Sequence, residues 1–402
     1  MDINEKINEH LNKYNDYDIR NTGSARYFDQ KVTPDVLCTI ADCVLNYVAQ
    51  NVNKEFTRKT IQYCDYSNNY VRMIFSKPNT DDPSAEREYN KFFGQPLQAL
   101  SHAHILNASK RGNTWYYTIN NYDLLEYIAT KEFFAFNFLY YYFEKVLTES
   151  GFIRHILNYK TLWENGSLTN SEFVDLRNRW DIFLIGNTPI KGKLESHRIW
   201  IKVLNIFAVR YQMPGTVGGY ISKNEYTFND LLYNRLNWRD LGKDKKLTRK
   251  QAPELKQKKK RLRLAETYRI RKAIRIIQGK YSTSELHDQY SDGTATCVHH
   301  IFPKEHYPQI AAYLENLIKL TVQQHLEKAH PNHKTREINR SYLLDCLMAK
   351  SQSIEESISL GEFVYSVNDF IHVINQGLNA NWSIGLDFSE IRSKLVEHWS
   401  IV

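Results

Sequence analysis

The sequence predicts a mainly helical α+β protein with more than one domain. Its 402 residues exceed what one hydrophobic core usually encloses, and 42% of them are hydrophobic, so the chain can bury a large interior. Long stretches repeat apolar residues every three or four positions, a pattern typical of amphipathic helices. Short β-prone runs are confined to residues 104–119 and 297–320, so we expect the sheets to be small.

Three helices are predicted after a polar arm of about 30 residues. An apolar stripe of period three to four predicts the first helix over residues 35–51. The second helix begins at Thr57, whose hydroxyl suits an N-cap. The third helix covers residues 84–103, and Gly94 and Pro96 are expected to break or kink it.

A β-hairpin follows the three helices. Residues 104–109 and 114–119 read as strands, and Lys110 and Arg111 belong to the basic segment between them. Residues 33 to 130 therefore resemble a winged-helix domain in pattern. The resemblance implies that the third helix enters the major groove of DNA while Lys110 and Arg111 contact phosphates. A small α+β domain that binds protein, or no partner, is the open alternative.

The middle of the chain is predicted to be helical. Residues 124–146 are apolar on nearly every face, which indicates a helix buried between domains. Further helices are expected over 152–240, with breaks at 186–189 and 214–219. Asn and Arg side chains in 231–240 could reach base edges, although a solvated helix face explains them equally well.

The segment 243–280 is the most basic part of the chain. It holds sixteen Lys and Arg against three acidic residues, a local charge of +13 in a chain whose net charge is +8. This density predicts one or two helices that lie along a polyanion, with a solvated linker as the alternative. The residues of this arm predicted to contact DNA are Lys258, Lys259, Lys260, Arg261 and Arg263.

Histidine is concentrated in residues 296–333, which contain six of the fourteen in the chain. His299 and His300 are adjacent in a short β-prone run, so their side chains must point to opposite faces of a strand or diverge at its end. Residues 317–320 can form a second strand, and His325 follows on a helix. Imidazole is both a common metal ligand and a good general base near neutral pH.

This stretch resembles the HNH, or ββα-metal, nuclease family. Its pattern is an acidic residue or histidine, then histidine, then asparagine, then a histidine on a helix, and the matching positions here are His299, His300, Asn316 and His325. The resemblance implies that His299 and His325 hold one divalent cation, Mg²⁺ or alternatively Mn²⁺. It further implies that His300 deprotonates the attacking water and that Asn316 fixes the loop that orients His300.

Two positions depart from the pattern of this family. Many members carry Cys-x-x-Cys before the helix histidine to hold a structural zinc, but Thr321 and Gln324 stand there in this chain, so no structural zinc is expected. A second helix ligand is common four residues after the first, where this chain has Ala329 followed by His330. Each histidine alone would fit an ordinary surface position. The four residues at family spacing favour a catalytic site.

Composition excludes several other classes of protein. No apolar run approaches the roughly 20 residues of a membrane span, and the first residues lack the features of a signal peptide, so we expect a cytoplasmic protein. The five cysteines contain no Cys-x-x-Cys pair, which argues against disulfides and a zinc knuckle.

Together these features predict a DNA endonuclease that acts at a specific double-stranded sequence and resembles a type II restriction enzyme. We expect a homodimer, because cutting both strands takes two active sites, and a genomically paired DNA methyltransferase. Another HNH enzyme, homing or modification-dependent, and a non-catalytic DNA-binding protein are the alternatives. Four segments are predicted: a recognition domain (1–150), a helical middle (151–242), a basic arm (243–290) and the nuclease domain with a helical cap (291–402).

Overall fold

The computed structural model describes residues 3–233, 256–329 and 339–401, with the backbone alone described over 256–263. The chain forms two compact units, Met1–Lys258 and Lys259–Val402. Helices predominate and the sheets have two or three strands, which confirms the predicted α+β class. The four-segment division stays a prediction. Nowhere in the described ranges does a helix combine the length and the apolar character needed to cross a bilayer.

The first part of unit 1 contains eight described α-helices and one small sheet. The helices are α1 (Ile3–Asn12), α2 (Ile19–Thr22), α3 (Pro34–Val48), α4 (Arg58–Gln62), α5 (Asp65–Phe75), α6 (Glu86–His102), α7 (Tyr122–Thr130) and α8 (Glu132–Glu149). The strands are β1 (Phe56–Thr57), β2 (Leu106–Arg111) and β3 (Thr114–Ile119). All pairs are antiparallel, in the order β1-β3-β2.

The three predicted N-terminal helices are present, with two differences. Thr57 caps its helix as expected, in a capping box with Thr60, but that helix divides into α4 and α5 where Cys64 is extended. Of the break or kink expected in the third helix, the break does not occur, because α6 continues through Gly94 and Pro96. Pro96 is buried with its neighbours on α6, and this packing offsets the hydrogen bond that proline cannot donate.

The hairpin that follows α6 is confirmed. Strands β2 and β3 pair from Leu106 with Ile119 to Arg111 with Thr114, so the turn has only two residues. Gly112 opens the turn at φ +60°, a conformation that glycine adopts without steric cost. Lys110 and Arg111 consequently belong to the end of β2 rather than to the turn.

The second part of unit 1 contains a hairpin that the sequence did not predict. Its elements are α9 (Ile153–Glu164), α10 (Asn170–Asn187), α11 (Lys193–Arg210), β4 (Pro214–Val217), β5 (Tyr220–Glu225) and α12 (Phe228–Leu231). The expected loop at 214–219 is a strand and a turn, with Gly218 at φ +62° and Gly219 at φ +90°. The strands lack alternating apolar residues, so they gave no period-two signal.

Helix α8 lies at the centre of unit 1. The single helix predicted over 124–146 is interrupted at Lys131, which is extended between α7 and α8. Helix α8 contacts α3 and α11, which lie in the first and second parts of the unit. These contacts bury α8 on nearly every face, which explains its continuous apolar sequence.

Unit 2 surrounds a two-stranded sheet with helices. Its regular elements are α13 (Lys256–Lys280), β6 (Cys297–His300), β7 (Leu317–Leu320), a π-helix (Gln324–Ala329), α14 (Arg340–Ser359), α15 (Val367–Leu378) and α16 (Phe388–Ile401). Strands β6 and β7 are antiparallel, with His299 opposite Ile318 and His300 opposite Leu317. The predicted order of strand, strand and helix is present, and so are the three predicted C-terminal helices.

One hydrophobic core joins the strands of unit 2 to its C-terminal helices. It contains Phe302 and Ile318 from the β-region and Phe370 and Ile374 from α15. Helix α15 approaches so closely that a β-carbon on Gly377 would overlap the ring of Phe302. A unit of two strands and one helix cannot bury a full core alone, so the C-terminal helices supply most of its cover.

Candidate active site

The two adjacent histidines of β6 point in different directions. His299 is 8% exposed, and its ring lies 5.3 Å from the ring of His325 at an interplanar angle of 75°. His300 instead bonds through Nε2 to the carbonyl oxygen of Ala311 at 3.1 Å. The alternation of side chains along a strand therefore separates the two histidines, as the sequence predicted. One pairs with the π-helix and the other faces the loop before β7.

The hydrogen bond from His300 defines which ring nitrogen is available for chemistry. A carbonyl oxygen only accepts, so Nε2 carries the proton and Nδ1 is left as the basic nitrogen. Burial lowers the pKa of His300, an effect only partly opposed by the bond to Ala311 and reinforced by the positive charge of Lys304. The ring is therefore neutral at pH 7 and can accept a proton.

Asn316 holds the loop that carries the partner of His300. The side chain is fully buried, its Oδ1 accepts from the Phe302 N–H at 2.9 Å, and its Nδ2 donates to the carbonyl oxygens of Phe302 at 3.0 Å and Ile310 at 3.3 Å. These bonds close the segment between the two strands. Because Ala311 follows Ile310 directly, Asn316 fixes the carbonyl that orients His300.

The π-helix that carries His325 is tied to an earlier segment by a buried polar network around Gln324. The Oε1 of Gln324 accepts from Ser284 Oγ at 2.6 Å, and its Nε2 donates to Asp288 Oδ1 at 2.9 Å. Thr321 Oγ1 donates to the Tyr290 carbonyl at 2.8 Å. Side-chain hydrogen bonds of Gln324 and Thr321 thus join the two segments.

The histidine pair offers two nitrogen ligands to a cation. The described part of the chain contains no cluster of three or more His, Cys, Asp and Glu residues arranged to hold a metal. The imidazoles of His299 and His325 would supply nitrogen ligands in their deprotonated form, and two such ligands would leave positions for water and a phosphate oxygen. His330 and His333 lie outside the described residues.

Three buried charged residues that support this site were missed in the sequence. Glu285 accepts from the Lys319 N–H at 2.7 Å and pairs with Lys350 Nζ at 3.0 Å, although neither charged side chain is exposed. Glu315, next to Asn316, accepts from the Ser366 N–H at 2.9 Å. These contacts anchor β7 and its approach to α14 and α15. These contacts join residues that are far apart in the chain, so no local sequence pattern predicts them.

The predicted DNA-contacting residues have different surroundings. Arg111 makes a two-point ion pair with Glu55, at 2.6 and 3.0 Å, and its guanidinium lies 4.5 Å from the Tyr116 ring centre. Lys110 is exposed, with Nζ 5.9 Å from the Trp115 ring centre. In the basic arm, Lys258, Lys259, Lys260, Arg261 and Arg263 fall on α13, but their side chains lie outside the described residues.

Comparison with protein-family models, with curated proteins and with solved structures finds no match to this chain. Any assignment of function therefore depends on the geometry of the residues described above.

Proposed function

We propose that this chain is a metal-dependent endonuclease that hydrolyses phosphodiester bonds at a specific sequence of double-stranded DNA, in the manner of a type II restriction enzyme. The observation that carries the proposal is the divergence of His299 and His300 on β6. On one side of β6, His299 pairs with His325. On the other side, His300 presents an oriented neutral imidazole. Asn316 lies between His300 and His325 in the sequence, at the spacing of the HNH resemblance, and its Nδ2 donates to the Ile310 carbonyl next to Ala311.

In the proposed reaction His300 acts as the general base. Its Nδ1 takes a proton from the attacking water, and the Ala311 carbonyl, already bonded to Nε2–H, stabilises the imidazolium that results. Asn316 keeps this carbonyl in place, so His300 loses little rotational freedom before reaction. A divalent cation held by His299 and His325 would neutralise charge on the scissile phosphate.

The proposed DNA reader is the segment from α3 to β3, residues 34–119. In chain order it contains α3, β1, α4, α5, α6 and the hairpin of β2 and β3. The short strand β1 pairs with β3, the last strand of the hairpin. This arrangement supports a winged helix in which α6 enters the major groove. Arg87, Asn90 and Lys91 are exposed on the first half of α6, where such a helix meets bases and phosphates.

The basic arm and a second copy of the chain would complete the proposed DNA complex. The backbone of α13 is one continuous helix, so its many basic residues belong to one extended element that would lie along duplex DNA. A homodimer would bring two active sites to the two strands, and a partner methyltransferase would protect the host sequence. The intact chain should therefore cut unmethylated DNA in the presence of Mg²⁺.

The decisive experiment replaces the proposed base. His300→Ala should lower the rate of DNA cleavage by at least about 100-fold and leave the affinity for DNA nearly unchanged, because the imidazole acts on water rather than on the duplex. His306→Ala is a matched control, since His306 is an exposed histidine of the same loop. Near-normal cleavage by His300→Ala would overturn its role as the general base. No cleavage by the unmodified chain in the presence of Mg²⁺ would remove the nuclease assignment, and a non-catalytic DNA-binding protein would then be favoured.

A further inference from the structure

Unit 1 contains the same local architecture twice. In the first part, α6 is followed by the hairpin of β2 and β3, and in the second part α11 is followed by the hairpin of β4 and β5. Each of these helices packs against the first strand of its own hairpin. Each is also preceded by further helices, α4 and α5 in one case and α9 and α10 in the other.

The connections between helix and hairpin match in their hydrogen bonds. After α6, the N–H of His104 donates to the Ser101 carbonyl at 3.0 Å, and that of Ile105 donates to the Leu100 carbonyl at 2.9 Å. After α11, Gln212 donates to Val209 at 3.4 Å and Met213 to Ala208 at 3.0 Å, the same two offsets along the chain. Both connections thus close their helix with a Schellman-type bond.

The backbone conformations of the two connections also agree. His104 has φ +54° and Gln212 has φ +51°, both in the left-handed region that side chains other than glycine seldom adopt. The residues that follow, Ile105 and Met213, are each fully buried. Each hairpin then closes with a two-residue turn whose first residue is a glycine at φ +60° or φ +62°.

The helices that precede the two hairpins, α6 and α11, expose basic residues near their starts. Helix α6 exposes Arg87 and Lys91, and α11 exposes Lys193 and Arg198. Within the described residues, none of these four side chains makes an ion pair. A cation without a partner has no existing ion pair to break when a phosphate approaches, which suits it to bind DNA.

One cleft is lined by residues of both helices. It has a volume of about 440 Å³ and is lined by Asn90, Lys91 and Gln98 of α6, by Trp115 of the first hairpin and by Glu195 of α11. Arg198 follows Glu195 by three residues and therefore lies on a neighbouring position of the same helix face. The amide side chains of α6 can read base edges.

We infer that residues 153–225 form a second DNA-reading module, which contacts duplex DNA through the first half of α11 and acts beside the reader of residues 34–119. This inference rests on the proposed function for its ligand. Two modules on one surface would read adjacent parts of a longer site than one recognition helix covers. Lys193 and Arg198 would contact phosphates and fix the register of the second module.

The test measures the salt dependence of DNA binding by the full chain. In the double variant Lys193→Ala with Arg198→Ala, the log–log slope of affinity against salt should fall by about 0.9 for each phosphate that the variant no longer binds. Arg87→Ala with Lys91→Ala should give a similar fall through the first module. Lys13→Ala with Arg20→Ala removes two exposed positive charges outside residues 34–119 and 153–225, and should leave the slope unchanged.

The outcomes separate the inference from the proposed function. If the intact chain binds no duplex DNA, the proposed function itself fails. If the chain binds DNA and the Lys193 and Arg198 variant keeps the slope of the Lys13 and Arg20 control, the second module is not a reader and the nuclease proposal stands. Circular dichroism of each variant checks that the helices are intact, so that a fall in slope is due to the missing side chains.

Discussion

His299 and His325 come from different elements and meet at one point, so each depends on separate parts of unit 2. His299 is fixed by the pairing of β6 with β7, and His325 by a π-helix whose first residue, Gln324, is fully buried. The rings lie 5.3 Å apart. Loss of either imidazole should therefore halve the nitrogen ligands available to a cation.

For this reason His299→Ala and His325→Ala should each weaken the binding of a divalent cation. We expect a shift of about tenfold or more in the Mn²⁺ titration, measured by calorimetry on the full chain without DNA, together with a higher Mg²⁺ requirement for cleavage. His306→Ala again serves as the control. Unchanged Mn²⁺ affinity in both variants would show that the ligand roles are wrong, whatever the cleavage rates.

His102 is a titratable residue of unit 1 that affects stability rather than catalysis. Burial lowers its pKa to about 4, although the charge of Asp16 opposes this, and its Nε2 bonds with the Ser24 hydroxyl at 2.8 Å. The unfolded chain binds a proton near pH 6.5 and the folded chain does not, so stability falls as pH drops from 6.5 toward 4.

Between pH 7 and pH 5 this difference should cost on the order of 2 kcal/mol of the free energy of unfolding. Urea titrations of wild type and His102→Gln at both pH values measure it. The variant should be less stable than wild type at pH 7 and should lose less stability on acidification. An equal loss in both proteins would assign the acid sensitivity to other groups.

The residues of the candidate site were predictable to different degrees. His299, His300, Asn316 and His325 stand at a spacing that the sequence displays directly, and the structure brings them to the expected strands, loop and helix. The bond from His300 to Ala311 was not predictable, because it depends on how the loop folds back. The buried pair of Glu285 and Lys350 was also hidden, since each residue alone has the composition of an exposed position.

At the scale of elements, helices were easier to predict than hairpins. The apolar stripes of α3 and α15 follow a clear helical period, and the structure contains both helices. The hairpin of β4 and β5 was not predicted, because glycines in a turn and glycines in a loop give the same sequence signal. Its strands also contain Pro214, Gly215 and polar residues, which are unusual in strands. Its formation is decided by packing against α11, an interaction that local sequence does not encode.

The close approach of α15 to Phe302 gives a prediction at this scale. Gly377→Ala places a methyl group on the ring of Phe302, the residue whose backbone Asn316 holds on both sides. We expect a loss of about 1–3 kcal/mol in the stability of the chain and a lower cleavage rate, because the ring and the loop must shift together.

Gly279→Ala is the matched control for this change. Gly279 also lies within a helix, α13, and a β-carbon there would meet no other atom within 4 Å. Its replacement should leave stability equal or slightly higher, since alanine favours helix more than glycine does. Thermal unfolding of both variants decides the point, and a Gly377→Ala protein as stable as the Gly279→Ala protein would contradict the tight packing of α15.

For the whole molecule, the boundary predicted near residue 150 can be tested against the packing of unit 1. The ring of Tyr140 on α8 lies 5.7 Å from that of Phe207 on α11, and the ring of Phe28 lies 5.7 Å from that of Trp180 on α10. The first part of unit 1 is thus covered by aromatic residues that follow residue 150. Each such side chain contributes about 1.5–3 kcal/mol when it is buried.

A fragment of residues 1–150 should therefore lack cooperative unfolding, whereas a fragment of residues 1–233 should unfold cooperatively. The longer fragment keeps α11 and ends at Tyr233, whose N–H donates to Asp35 at 2.9 Å and whose hydroxyl donates to Glu88 at 2.8 Å. Near-ultraviolet circular dichroism during heating measures both, because buried aromatic residues give a signal only when they are fixed. A sharp transition with native aromatic signal in the 1–150 fragment would instead establish an independent domain that ends near residue 150.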